Sequence, residues 1–266
     1  MREKNNPATF WEHLDALRWT IIRIVIVLFV IVAVLFGFKD FVFDQVVFLP
    51  LRSDFVIYRF FCYLADVFQS PSLCPADFHI ELININLSGQ FVAHITATFT
   101  IAIVLAIPYI LYEIWLFVAP ALYPAEKSNI GWVFFSASFL FYLGALVSYY
   151  LIFPLSIRFL GTYEISDLVP NQISVQSYLS TLYVLVFALG LMFEMPVLAL
   201  VLSKIGIINK SLLRKGRKYA FVIILILAAV ITPTTDPFTM MVVALPLYLL
   251  YEVSIMLCRK AKPAES

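Results

Sequence analysis

Charge is scarce in this sequence. Of 266 residues, 13% are Asp, Glu, Lys or Arg and 62% are hydrophobic, with a mean hydropathy of +0.95. Soluble domains carry about 25% charged and about 45–50% apolar residues, so a soluble globular domain is excluded. Glycine is scarce too, at eight, and no phosphate-binding glycine loop occurs. The three histidines, His13, His79 and His94, fall in three separate regions, and neither Cys-x-x-Cys nor His-x-x-x-His is present. These gaps exclude an ATPase or a metalloenzyme: no enzyme activity, cofactor or metal is expected. No nucleic-acid partner is expected. No repeat of 20–50 residues and no low-complexity tract is present.

What the chain has is long apolar runs. A hydrocarbon core of about 30 Å needs roughly 20 apolar residues as helix. Six runs serve: Thr20–Phe38, Val92–Phe117, Ile130–Ile152, Tyr178–Leu202, Tyr219–Ile231 and Phe238–Leu257. They are continuous, whereas a β-barrel would show alternating strands of about ten residues. The fold class is all-α, a polytopic membrane protein of six transmembrane helices forming a single membrane domain over 1–266.

Lys and Arg set the orientation. With six spans, Arg2, Lys4, Arg18, Arg23, Lys127, Lys204, Lys210, Arg214, Lys215, Arg217, Lys218, Arg259, Lys260 and Lys262 lie on or within a turn or two of one side. Lys39, Arg52, Arg59 and Arg158 lie on the other. Both termini and the loops 118–129 and 204–218 are therefore cytoplasmic, and the long 39–88 loop is external. Cys62 and Cys74 fall in that external loop, where an oxidising compartment lets them pair, while Cys258 stands alone at the cytoplasmic face. The first apolar run is long enough to span and lacks a short apolar region with a small-residue cleavage site, so it is expected to be retained as an anchor.

Two local features stand out. Tyr219–Ile231 is about 13 residues, or about 20 Å of helix, before Thr232-Pro233 stops it, and Phe238–Tyr251 is similarly short before Glu252. Two short last helices imply local bilayer thinning, burial against neighbours, or both; the alternative is that Glu252 sits at headgroup level in an ordinary bundle. Ahead of the first span, "TFWEHLDALRW" carries Thr9 and Glu12 in a capping-box pattern, with Phe10, Leu14 and Leu17 at helical spacing. This predicts an amphipathic helix over 9–19, lying at the cytoplasmic interface with His13, Asp15 and Arg18 as polar groups.

The remaining acids are the candidate functional groups. Glu113 and Glu194 lie inside apolar runs, Glu126 lies in a short cytoplasmic loop, and Asp236 and Glu252 flank the last helix. An intramembrane carboxylate costs about 3 kcal/mol on insertion scales, so it faces protein, water or a partner. Glu113 lies near enough to the cytoplasmic edge to snorkel. Glu194 is deeper, and Pro196 behind it frees a backbone carbonyl and permits a bend.

Six blocks together resemble the TatC family, the receptor subunit of the twin-arginine protein translocase. They are "FWEHLDALR", "IWLFVAPALYPAEK" at Ile114–Lys127, "FLFYLGALVSYYLIFPL", "FALGLMFEMPV", "ITPTTDPF" and "ALPLYLLYEV", in order from about residue 10 to about residue 258. The resemblance implies a concave helical bundle in the bacterial cytoplasmic (inner) membrane. It implies recognition of twin-arginine signal peptides on folded cargo, work with TatA- and TatB-type single-span subunits, self-association among membrane lipid, and transport driven by the proton-motive force. On this sequence the arginine-reading loop acid matches Glu126, and Arg18 matches the family's arginine in the preface. Glu194 matches a buried acid of the concave membrane face that contacts a partner's polar residue or holds water and distorts the bilayer, and Asp236 and Pro50 match external positions.

One position departs from the pattern. The family's block reads "HL-x-E-L-R", which puts its acid at Ala16. Glu12, one turn earlier on the same helical face, is one substitute. Asp15, rotated by about 100°, is another, and loss of the acid is the third. Secondary small-solute transport is the competing function, though the inverted repeat and paired broken helices typical of that class are absent from the sequence.

Overall fold

The computed structural model describes residues 10–69, 80–118, 130–163, 166, 171–232 and 236–258. Helix α1 runs unbroken over Phe10–Gly37, 28 residues. It contains neither proline nor glycine before Gly37, so nothing ends it where hydropathy changes. The interfacial helix expected over 9–19 and the first span are therefore one rod. At 1.5 Å per residue it reaches about 42 Å, longer than the hydrocarbon core, and its first turns project past the apolar layer. Thr9, the expected N-cap, lies outside the described residues.

After α1 the external segment is folded. A single turn, α2 (Lys39–Val42), leads into a π-helical turn at Phe43–Val47, a 3-10 turn at Leu49–Leu51 and helix α3 (Val56–Val67). Strand β1 (Leu82–Ile83) pairs in parallel with β2 (Ile173–Ser174), joining the two external segments.

Helix α4 spans Gly89–Val118 and α5 spans Ile130–Val147. A second π-helical turn at Ser148–Ile152 passes into α6 (Phe153–Thr162). Span three thus extends beyond Ile152, because Pro154 sits in the first turn of α6, where its missing N–H costs nothing. Helix α7 (Val175–Met192) begins at Ser174, whose side chain accepts from the Ser177 amide at 3.2 Å. It breaks at Phe193-Glu194 and resumes as α8 (Met195–Ile205). Gly206, at φ 88°, caps that end in the left-handed conformation glycine favours. Helices α9 (Lys210–Lys215), α10 (Arg217–Ile231) and α11 (Pro237–Leu257) follow.

Five described helical segments are long and apolar enough to cross a membrane: 13–37, 89–117, 133–162, 175–204 and 237–257. With 15 residues, or about 22 Å, α10 is the short sixth. By contrast α11 has 21 residues and is longer than expected. Glu252 does not interrupt it, because its carboxylate is paired with Arg217 at the start of α10.

The core centres on α7, with Leu185 and Leu189 fully buried against Ile152, Phe153, Val243 and Leu247. The irregular external turn is fixed to it by tyrosines. Carbonyls at the end of a helical turn lack partners within that turn. Here Tyr149 donates to the Val46 carbonyl at 2.6 Å and Tyr178 to the Val47 carbonyl at 2.7 Å. Tyr58, on α3, donates to the Pro154 carbonyl at 3.0 Å, with the Pro50 carbonyl at 3.5 Å. Burial raises the Tyr58 phenol's pKa well above its ordinary value, so it remains a donor.

Candidate functional site

The cytoplasmic ends of α1 and α4 form the corner that carries the signal-peptide residues expected from the sequence. His13 stacks on Phe117, with ring centroids 4.2 Å apart and planes 23° apart. Asp15, Ala16 and Arg18 follow on exposed positions of α1. The backbone of Glu12 lies in the same helix, but its side chain and all of Glu126 lie outside the described residues. Of the expected set, His13 is thus placed against α4, and Asp15 and Arg18 are open to solvent.

Deeper in the same corner lies a pairing that the sequence does not reveal. Arg23 Nη1 stands 3.3 Å from Glu113 Oε1 and 3.2 Å from Oε2. Tyr109, one turn earlier on α4, donates its hydroxyl to Oε1 at 2.9 Å. The Glu113 side chain is 4% exposed and that of Arg23 is 51% exposed. A buried carboxylate must be compensated by a cation and hydrogen bonds, and these two groups supply both. The sequence signal was a single charge of each sign inside the first and second apolar runs.

The second feature is the break at Glu194. The Glu194 amide bonds to the Leu191 carbonyl at 3.1 Å, and the Leu198 amide bonds to the Glu194 carbonyl at 3.0 Å. Pro196 has no N–H to offer, so the helix restarts around it. Glu194 is buried, and its Oε1 has no hydrogen-bond partner among the described residues. Close packing of α5 on α7 holds this break: a Cβ on Gly144 would stand 2.7 Å from both the Leu189 carbonyl oxygen and Phe193 Cγ.

Beside the break, Pro196, Val197, Leu200 and Lys204 of α8 line a cavity of ≈ 540 Å³ together with residues of α5 and Leu257 of α11. Glu252 and Arg217 pair at 2.5 Å. Their side chains are 23% and 47% exposed, so this contact at the cytoplasmic face adds under about 1 kcal/mol.

The external candidates have local partners. Asp236 caps α11, accepting from the Thr239 amide at 2.7 Å. Pro50 is buried in the 3-10 turn beneath Tyr58. Cys62 is disulfide-bonded and Cys258 is free and buried; Cys74 lies outside the described residues.

Comparison with known proteins gives one family. The model of the Sec-independent protein translocase protein (TatC) matches residues 12–246. A protein of that name from Blattabacterium is 35% identical over 257 residues, 96% of this chain and 96% of its own length. Another from Carboxydothermus hydrogenoformans is 32% identical over 262 residues, 98% of this chain and 97% of its own. Among solved structures, the twin arginine translocase receptor TatC crystallised in DDM superposes with a TM-score of 0.73. It is 32% identical, and the match covers 93% of this chain and 100% of that one.

Proposed function

The chain belongs to the TatC family of Sec-independent protein translocase proteins, and from that premise we propose that it is the receptor that reads twin-arginine signal peptides. As a family member it is a multi-pass inner-membrane protein and a non-catalytic subunit of a protein translocase. The relatives and structural neighbour named above are translocase proteins, and none of them supports the solute-carrier reading.

Arginine offers a planar fork of donors matched to a carboxylate, so two consecutive arginines call for acids on a cytoplasmic, partly desolvated surface. Glu126 is the first such acid, and Glu12 or Asp15 takes the place of the acid that Ala16 lacks. The observation that carries this reading is the His13–Phe117 stack. It seats the preface against the end of α4, from which the loop bearing Glu126 continues in sequence. Arg18 and His13 complete the peptide-facing surface.

Glu194 has a different role in this reading. A buried carboxylate with an open oxygen is where an approaching polar group gains most. It is the contact for a single-span TatA- or TatB-type subunit, and Glu113 and, at the cytoplasmic end of the bundle, Glu252 are the other candidate acids of the membrane domain. Residues 1–266 act as one membrane domain that self-associates in the lipid bilayer and exports folded cargo with the proton-motive force. Co-purification tests the assembly. TatA- and TatB-type subunits and a reporter bearing a twin-arginine signal peptide should be retained, and a twin-lysine reporter should be lost. Equal retention of both reporters contradicts the reading.

A further inference from the structure

The Glu113 carboxylate already holds a guanidinium, that of Arg23 on the neighbouring helix. We propose that Glu113 is an arginine-accepting group of the signal-peptide site, occupied in the resting protein by Arg23, which an arginine of the incoming peptide displaces. This rests on the receptor reading above, and it adds an acceptor and an internal competitor to that site.

Three observations support it. First, the acceptor is built and permanent. Tyr109 fixes Oε1 at 2.9 Å, and the Glu113 side chain is 4% exposed, so a cation is always required there. Oε1 accepts from both Tyr109 and Arg23, and among the described residues Oε2 is bonded by Arg23 alone.

Second, the present occupant is held loosely. A single nitrogen, Nη1, straddles both oxygens at 3.2 and 3.3 Å. Strong charge-assisted pairs close to about 2.7–2.9 Å and use two nitrogens of the fork. The Arg23 side chain is 51% exposed, so protein atoms do not enclose it. Exchange of one guanidinium for another never leaves Glu113 bare, so it avoids the penalty of an uncompensated buried charge.

Third, the position lies near the cytoplasmic end of α4. Glu113 lies five residues before Val118 ends α4, about 7.5 Å along the helix axis. Along α1, Arg23 is ten residues past His13, whereas Glu113 is four residues before Phe117, the ring on which His13 stacks. Those separations are about 15 Å and about 6 Å, so Arg23 extends back toward the cytoplasmic end to meet the acid. Ala16 is exposed and stands seven residues before Arg23, two turns along the same face of α1.

The test is binding of a labelled twin-arginine peptide and its twin-lysine counterpart to the full-length solubilised protein. Thermal melting is recorded for every variant. Glu113→Gln keeps the bond to Tyr109 and removes the charge; it should weaken the twin-arginine peptide by about tenfold and leave the twin-lysine peptide unchanged. Arg23→Gln and Arg23→Lys remove or weaken the competitor and should tighten the twin-arginine peptide, even where melting falls. Arg23→Lys keeps a cation beside Glu113, so it remains informative should Arg23→Gln fail to fold. A pair that only straps α1 to α4 predicts the reverse: both Arg23 variants bind the same or more weakly. That result, or wild-type binding by Glu113→Gln, overturns the proposal and leaves the receptor reading intact. A wild-type protein with no preference for arginine over lysine overturns both.

Discussion

Tyr178 donates its hydroxyl to the Val47 carbonyl at 2.7 Å, across 131 residues of sequence. The bond ties the start of α7, the centre of the bundle, to the irregular turn that follows the first span. Tyr178→Phe keeps the ring and strands the buried carbonyl, which costs about 1–3 kcal/mol. Thermal melting of the solubilised protein should show that loss. Tyr149→Phe, which strands the Val46 carbonyl, should add to it only in part, because neighbouring groups in one network couple.

Gly144 sets the approach of α5 to the break in α7. Its missing Cβ would stand 2.7 Å from a backbone oxygen, which cannot swing aside as a side-chain tip can. Gly144→Val should therefore destabilise the protein by about 1–3 kcal/mol, the range for overpacking. The volume-matched control Leu143→Ile, at an exposed site, should leave melting unchanged.

Asp236 accepts the Thr239 amide at the start of α11. Asp236→Ala should cost about 1 kcal/mol and Asp236→Asn much less, since asparagine caps nearly as well. If Asp236→Asn abolishes export while melting is unchanged, the residue has a role beyond the cap.

Glu194→Ala should impair export of a twin-arginine reporter while membrane insertion and peptide binding stay normal. Removing a buried carboxylate whose Oε1 has no described partner does not strand another charge, so melting should hold or rise. Unchanged export would sink the partner-contact role.

Much of the membrane architecture was legible because burial in lipid writes itself into long apolar runs and into where Lys and Arg fall. The break beside Glu194 was legible from Pro196, and the shortness of α10 from Thr232-Pro233. The continuity of α1 was not, because hydropathy reports the surroundings of a helix and only Gly, Pro or a cap reports its end. Glu252 suggested an interruption because its partner, Arg217, is 35 residues away. The β1–β2 ladder is two residues long, too short to leave a periodicity. Arg23 and Glu113 were each visible as charges in apolar runs, but their pairing depends on how α1 crosses α4. The tyrosine bonds to Val46, Val47 and Pro154 were equally hidden, since a backbone acceptor has no sequence signature.

The central claim is that this chain reads consecutive arginines with cytoplasmic carboxylates. Its most direct test is the affinity of the solubilised protein for a twin-arginine signal peptide against a twin-lysine control, in wild type and in Glu126→Ala. Wild type should prefer the arginine peptide, and Glu126→Ala should lose about tenfold or more of that affinity, the worth of a charge-assisted bond. Equal affinity for the two peptides, or a Glu126→Ala variant that binds as wild type does, contradicts the account.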